Sequence, residues 1–90
     1  MKYGIRTEVP GLTVDQYSRM HGVIGPKSLK ARGFISHAAG PTADGWYLID
    51  VWESKDDHDR FFRDEVLPMM PADGPTPRVE EYEVHTFESA

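Results

Sequence analysis

The chain has no cysteine, which excludes disulfides and thiolate metal sites. It also lacks an excess of positive charge: 10 Lys and Arg stand against 15 Asp and Glu, a net charge of −5. Phosphate backbones ask for a basic stripe, so a nucleic-acid surface is not expected. No run approaches the roughly 20 apolar residues of a membrane-spanning helix. The opening Met1-Lys2-Tyr3-Gly4-Ile5-Arg6 has no apolar stretch of the signal-peptide kind. The default expectation is a cytoplasmic protein with neither membrane nor nucleic acid as partner. Hydrophobic residues at 39% and charged ones at 28% are too apolar for a disordered chain. Ninety residues make a single domain over 1–90. A domain so short buries only about 60–65% of its unfolded surface, and with disulfides excluded, association with a second chain is the remaining source of stability.

Tyr3 to Val9 alternates in the period of a strand, with Tyr3, Ile5, Thr7 and Val9 on one face, until Pro10-Gly11 ends it. Thr13-Val14-Asp15-Gln16 fits a capping box. The helix it starts carries Val14, Tyr17, Met20, His21 and Ile24 on one stripe and is expected to stop at Gly25-Pro26. Gly33 to Ala39 reads as a second strand, Gly40 to Gly45 as a long hairpin loop, and Trp46 to Trp52 as a third strand. Ser54-Lys55-Asp56-Asp57 caps a second helix bearing His58, Phe61, Phe62, Val66, Leu67, Met69 and Met70, which Pro68 ends or kinks. Pro71 to Pro77 reads as loop, and Arg78 to Phe87 as a fourth strand.

The order β-α-β-β-α-β is that of the ferredoxin-like α+β fold. Its four-stranded antiparallel sheet places strands one and three centrally, strands two and four at the edges, and both helices on one face. The third strand then poses a problem. Tyr47, Ile49 and Val51 form one face, and Trp46, Leu48, Asp50 and Trp52 the other. Two short helices cover only one of them. Burying a Val or Ile side chain stabilises by roughly 1.5–3 kcal/mol, so the uncovered row calls for a second copy packed across a two-fold axis. A monomer with a loop folded over that row is the alternative. A homodimer is the expectation.

Gly33-Phe34-x-x-His37-x-Ala39, a Gly-Pro-rich turn, Gly45-Trp46-x-Leu48-Ile49-Asp50-Val51-Trp52-Glu53-Ser54 and a helix with Phe61-Phe62 together resemble the dimeric α+β-barrel superfamily. Within it the closest likeness is to the antibiotic-biosynthesis-monooxygenase-like (ABM-like) group. The resemblance spans nearly the whole chain and is strongest from Gly33 to Leu67. It implies two sheets facing one another across a dimer, with helices outside. It also implies one of several activities: cofactor-free oxygenation of polycyclic phenols, haem degradation, isomerisation or cyclisation. In the haem-degrading branch a Trp at the end of the third strand is followed ten residues later by a ligating His. Trp52 matches the Trp, but Phe62 stands at the second position and cannot ligate. Haem, and any other cofactor, is not expected.

Two residues stand out as catalytic candidates. His37 lies among small neighbours in its strand, and histidine is the side-chain type most often used as a general acid or base; a structural hydrogen bond at a sheet edge is an equal reading. If Ala39 pairs with Trp46, His37 lies opposite Leu48 and on the face of Asp50 and Trp52, and a one-residue slip reverses that. Asp50 is a carboxylate in an apolar central strand, a site candidate. An ion pair with Arg6 on the neighbouring strand is the slightly preferred account of it. For substrate binding, Tyr17 and His21 share a helix face that could line a pocket. Trp46, Trp52, Phe61 and Phe62 could give flat walls, although such residues are more often core, and His21 more often a boundary residue. His58, among Asp56, Asp57 and Asp59, reads as solvated, and His85 as an edge-strand residue near an interface. Four histidines without HExxH spacing make no metal site.

The leading expectation is an enzyme of secondary metabolism that binds a planar aromatic or polyketide-like molecule. It would oxygenate that molecule without a cofactor, or isomerise or cyclise it, with His37 as acid or base. A non-catalytic small-molecule-binding protein of the same fold is the alternative.

Overall fold

The computed structural model describes residues 1–70 and 73–90. Its elements are β1 (Lys2–Pro10), α1 (Val14–Leu29), β2 (Phe34–Pro41), β3 (Gly45–Trp52), α2 (Lys55–Phe61) and β4 (Arg78–Val84). One antiparallel sheet has the order β2-β3-β1-β4, so the expected ferredoxin-like α+β arrangement is the one formed. Pro71 and Ala72, the start of the expected loop, lie outside the described residues.

Local chemistry sets the helix starts. The Thr13 hydroxyl accepts from the Gln16 N–H at 3.2 Å while the Gln16 side chain accepts from the Thr13 N–H at 2.9 Å. Ser54 accepts from the Asp57 N–H at 3.1 Å. Gly11 and Gly33, at φ +79° and +85°, make the turns on either side of α1 in a region that side chains disfavour.

The ends depart from expectation. α1 runs through Pro26 to Leu29. An interior proline loses one helical bond, here that to the Gly22 carbonyl, but the next turn is held by other partners. Ser28 donates its hydroxyl to the Gly25 carbonyl at 2.7 Å, and Lys27 pairs with Glu65 across to the second helical segment at 2.9 Å. That second segment is α-helical only to Phe61. A π-helical turn (Phe62–Val66) and a 3₁₀ turn (Leu67–Met69) follow. Pro68 is the cause: in an α-helix its ring would meet the Asp64 carbonyl, and the wider turn relieves this. β4 stops at Val84, which leaves His85 outside the strand, bonded to Thr86.

The β2–β3 hairpin is tighter than expected. Pro41, not Ala39, pairs with Trp46, Ala39 pairs with Leu48, and His37 pairs with Asp50. The register breaks between Phe34 and Ser36, where Ile35 is an extra residue. Phe34 and His37 are three apart, so a regular strand would put them on opposite faces. The bulge at Ile35 brings both to the helix side.

That side holds the buried core. Tyr3, Ile5 and Trp52 form it, with Phe34, Phe61 and Ala31 packed against them. The Tyr3 hydroxyl donates to Glu81 at 2.6 Å; burial first, and the Glu81 carboxylate second, push its pKa well above the usual tyrosine range. On the opposite face lie Tyr47, Ile49 and Val51. The Tyr82 ring lies across Gly4, where a Cβ would stand 2.2 Å from it. Because Gly4 pairs with Val51, Tyr82 covers part of this row, whereas Tyr47 and Ile49 stay half-exposed.

Candidate functional site

Between the sheet and the helices the protein holds a broad cleft of about 950 Å³, at the upper end of the range of small-molecule sites. Ile5, Thr7 and Leu48 form its floor, Met20 and Ile24 of α1 one wall, and Phe61, Phe62, Val66 and Met69 the other. Most of these are apolar.

A chain of three polar groups runs along the β2 side of the cleft. The Asp50 carboxylate lies 2.5 Å from Nδ1 of His37, and Nε2 of His37 lies 2.7 Å from the Tyr17 hydroxyl. All three line the cleft. Each element supplies its member for a local reason. The capping box puts Tyr17 in the first turn of α1. The bulge turns His37 inward. Direct cross-strand pairing sets Asp50 against His37. The His37 and Asp50 side chains are 22% and 24% exposed, sheltered enough for strong hydrogen bonds yet open to a ligand.

The protonation pattern of a neutral imidazole follows from its partners. An ionised carboxylate only accepts, so Nδ1 carries the proton and donates to Asp50. Nε2 is then left with its lone pair, and Tyr17 O–H donates to it. Burial, and after it the charge of Asp50, raises the Tyr17 pKa above the ordinary phenol value. Tyr17 therefore holds its proton at neutral pH.

Rings surround this chain. Tyr17 stacks with His21 (centroids 5.4 Å, 24°) and Trp46 (5.2 Å, 27°), and His21 stacks with His37 (5.6 Å, 21°). Gly25 makes room for His21: a Cβ there would lie 2.9 Å from the imidazole.

The expected ion pair of Asp50 with Arg6 does not form. Asp50 pairs with Ile5 across β1, while Arg6 pairs with Ile49 and so points to the other face, where it bonds to Glu8 at 2.9 Å. Of the expected substrate-binding residues, Tyr17, His21 and Phe62 line the cleft. Trp52 borders it but is 1% exposed, so it is core before it is wall. Trp46 does not line the cleft; it supports Tyr17 from the end of the sheet.

His58 was expected in solvent and is instead 13% exposed. Its ring packs 5.3 Å from Tyr3 and 5.9 Å from Trp52. His58 bonds to Asp59 at 3.0 Å, and both line the cleft. That bond, and then Lys55, hold the Asp59 carboxyl below its usual range against the opposing effect of burial. The spacing of His58 to Phe61 and Phe62, three and four residues, was the available signal. Among the described residues no group of three or more His, Cys, Asp and Glu is placed to hold a metal ion, and no helix is long and apolar enough to cross a membrane.

No sequence-family model matches the chain, and no curated protein matches it in sequence. Solved structures do match it in shape. A variant of SnoaB, a cofactor-independent oxygenase from Streptomyces nogalater, superposes at a TM-score of 0.70 and 13% identity, covering 96% of this chain and 94% of that one. A second SnoaB structure gives 0.63 at 10% identity over the same shares. A putative antibiotic-biosynthesis monooxygenase from Bacillus cereus gives 0.51 at 17%, covering 99% and 95%. The fold is that of the antibiotic-biosynthesis-monooxygenase type.

Proposed function

We propose that this chain is a homodimeric, cofactor-independent monooxygenase for a planar aromatic phenol, with His37 as its base. The Asp50–His37–Tyr17 chain on the wall of an apolar cleft carries the reading, and the oxygenase named among the structural neighbours supports it. A flat apolar substrate fits between the floor of β1 and β3 and the aromatic residues of the far wall. Its phenol or activated C–H gives a proton to the His37 side, and Asp50 stabilises the imidazolium that results. The electron-rich anion then reacts with oxygen. One oxygen atom stays on the substrate carbon as a carbonyl and the other leaves as water with the two displaced hydrogens. Isomerisation or cyclisation needs the same proton transfer without oxygen. The half-exposed Tyr47 and Ile49 row supports a second copy on the sheet's other face.

The test uses 1,8-dihydroxyanthrone in an oxygen electrode. The protein should consume oxygen faster than the spontaneous oxidation, and His37→Ala should lose that acceleration by about 10²–10⁴-fold with its circular dichroism unchanged. Undiminished turnover in His37→Ala would remove the base assignment. Rearrangement of substrate under nitrogen would favour the isomerase. Saturable binding without turnover, indifferent to replacing His37 and Asp50 together, would instead mark a binding protein. Sedimentation should give twice the 10.2 kDa chain mass; a single-chain mass at micromolar concentration would remove the dimer.

A further inference from the structure

We infer that Tyr17 is the residue that takes the substrate proton, relaying it to His37, so that the base never touches the substrate directly. The inference rests on the proton-transfer reading of the cleft but not on the fate of the anion. Three observations carry it.

The basic nitrogen of His37 is already occupied. Its Nδ1 faces Asp50 and its Nε2 accepts from the Tyr17 hydroxyl at 2.7 Å. A substrate phenol reaching Nε2 must first displace a phenol the protein itself supplies.

Tyr17 is poorly placed to leave. Its ring is half-buried on α1, held against Trp46 and His21 at 5.2 and 5.4 Å. Moving it away breaks both stackings and the hydrogen bond together, and an aromatic pair alone contributes about 0.5–1.5 kcal/mol.

The Tyr17 oxygen also has capacity to spare. A hydroxyl has one proton to donate and two lone pairs with which to accept. The proton goes to His37, which leaves the two lone pairs to accept, and Tyr17 is one of the residues that line the cleft. A substrate O–H can donate there without disturbing the chain.

The transfer is then concerted and balanced. The substrate O–H bond breaks as its proton binds the Tyr17 oxygen, and the Tyr17 O–H bond breaks as that proton binds Nε2. Tyr17 ends as it began, the substrate becomes an anion, and His37 becomes an imidazolium facing Asp50. The raised Tyr17 pKa agrees with a hydroxyl that passes a proton on rather than one that stays ionised. The groups facing His37 are Asp50 from β3 and Tyr17 and His21 from α1, and His21, with its ring 5.6 Å away, stacks rather than bonds.

The experiment compares wild type, Tyr17→Phe and His37→Ala with two probes. The first is 1,8-dihydroxyanthrone with oxygen, read as kcat and KM. The second is 2-hydroxyanthraquinone, a planar phenol whose visible absorption shifts to the red on ionisation, read as its apparent pKa when bound. The phenylalanine keeps the ring and its stacking and removes only the relay oxygen. A relay requires that Tyr17→Phe lower kcat by about 10²-fold with KM changed by less than about threefold. It also requires that the apparent pKa of the bound anthraquinone rise in Tyr17→Phe, because after the transfer the Tyr17 O–H donates to the probe's anion and stabilises it, and rise in His37→Ala, where the proton has lost its acceptor. Equal or faster turnover in Tyr17→Phe would overturn the proposal, because it would show Tyr17 to be a cap that substrate pushes aside. An unchanged ionisation of the bound probe in Tyr17→Phe would overturn it independently. If wild type fails to oxidise the anthrone but ionises the anthraquinone in a Tyr17-dependent way, the oxygenase reading fails and the relay stands.

Discussion

Asp50→Asn should reduce turnover by about 10²–10⁴-fold while leaving the fold intact. The two side chains have the same shape, so packing beside Ile5 and His37 is kept. What changes is the direction of one hydrogen bond. The carboxylate can only accept, and it thereby holds the His37 proton on Nδ1, which is 2.5 Å away. An asparagine turned to present its NH₂ group makes Nδ1 the acceptor and moves the imidazole proton to Nε2. Nε2 would then donate to the Tyr17 oxygen instead of accepting from it, and the chain would lose its base. The imidazolium formed during the reaction would also lose its counter-charge. Circular dichroism and sedimentation should match wild type, and oxygen uptake with the anthrone should show the loss. Retention of more than about half the wild-type rate would mean that the tautomer of His37 is not set by Asp50.

Trp52→Ala should lower stability by about 3–5 kcal/mol. The indole is 1% exposed and touches every part of the small core: Phe34 edge-on at 5.4 Å, Phe61 at 5.4 Å and His58 at 5.9 Å. Among the described residues the other buried hydrophobic side chains are Tyr3, Ile5 and Val51, so the cavity left behind has little around it to collapse inward. A domain of this size is stable by only about 5–13 kcal/mol, and each kcal/mol moves the midpoint by roughly 4–8 °C. A fall on the order of 15–30 °C in a calorimetric scan is therefore expected, at matched concentration because association also raises the midpoint. A fall under about 5 °C would show that the core does not hang on Trp52. The same substitution would widen the cleft floor, so its activity should be read only well below its melting range.

These two residues also show what could be read ahead of the structure. Asp50 and Trp52 are both even steps from Trp46, and alternation alone puts all three on one face of β3. Thr13 with Gln16 and Ser54 with Asp57 announce helix starts because a cap is satisfied within four residues. The partner of Asp50 was not legible in the same way. Arg6 is the nearest cation along the neighbouring strand, and strand adjacency without register favours it. One position of register sends its side chain to the opposite face, and Asp50 turns to His37. Likewise Pro26 looks like a helix stop because the cost of a lost bond is local, whereas the bonds of Ser28 and Lys27 that offset it come partly from across the molecule. His58 reads as solvated from its acidic neighbours, but one turn of helix lays it on Tyr3 and Trp52.

The sequence by itself determined the element order, the α+β class, the face carrying Trp46, Leu48, Asp50 and Trp52, and the candidacy of His37, Asp50 and Tyr17. Each depends on periodicity or on capping, which act over a few neighbouring residues. Only the tertiary structure decided that His37, Asp50 and Tyr17 form one hydrogen-bonded chain. That required a bulge at Ile35, the pairing of Pro41 with Trp46 that sets His37 against Asp50, and the docking of α1 over β2. Those are choices among registers of similar local energy, and they are made by which side chains end up packed together rather than by any segment alone.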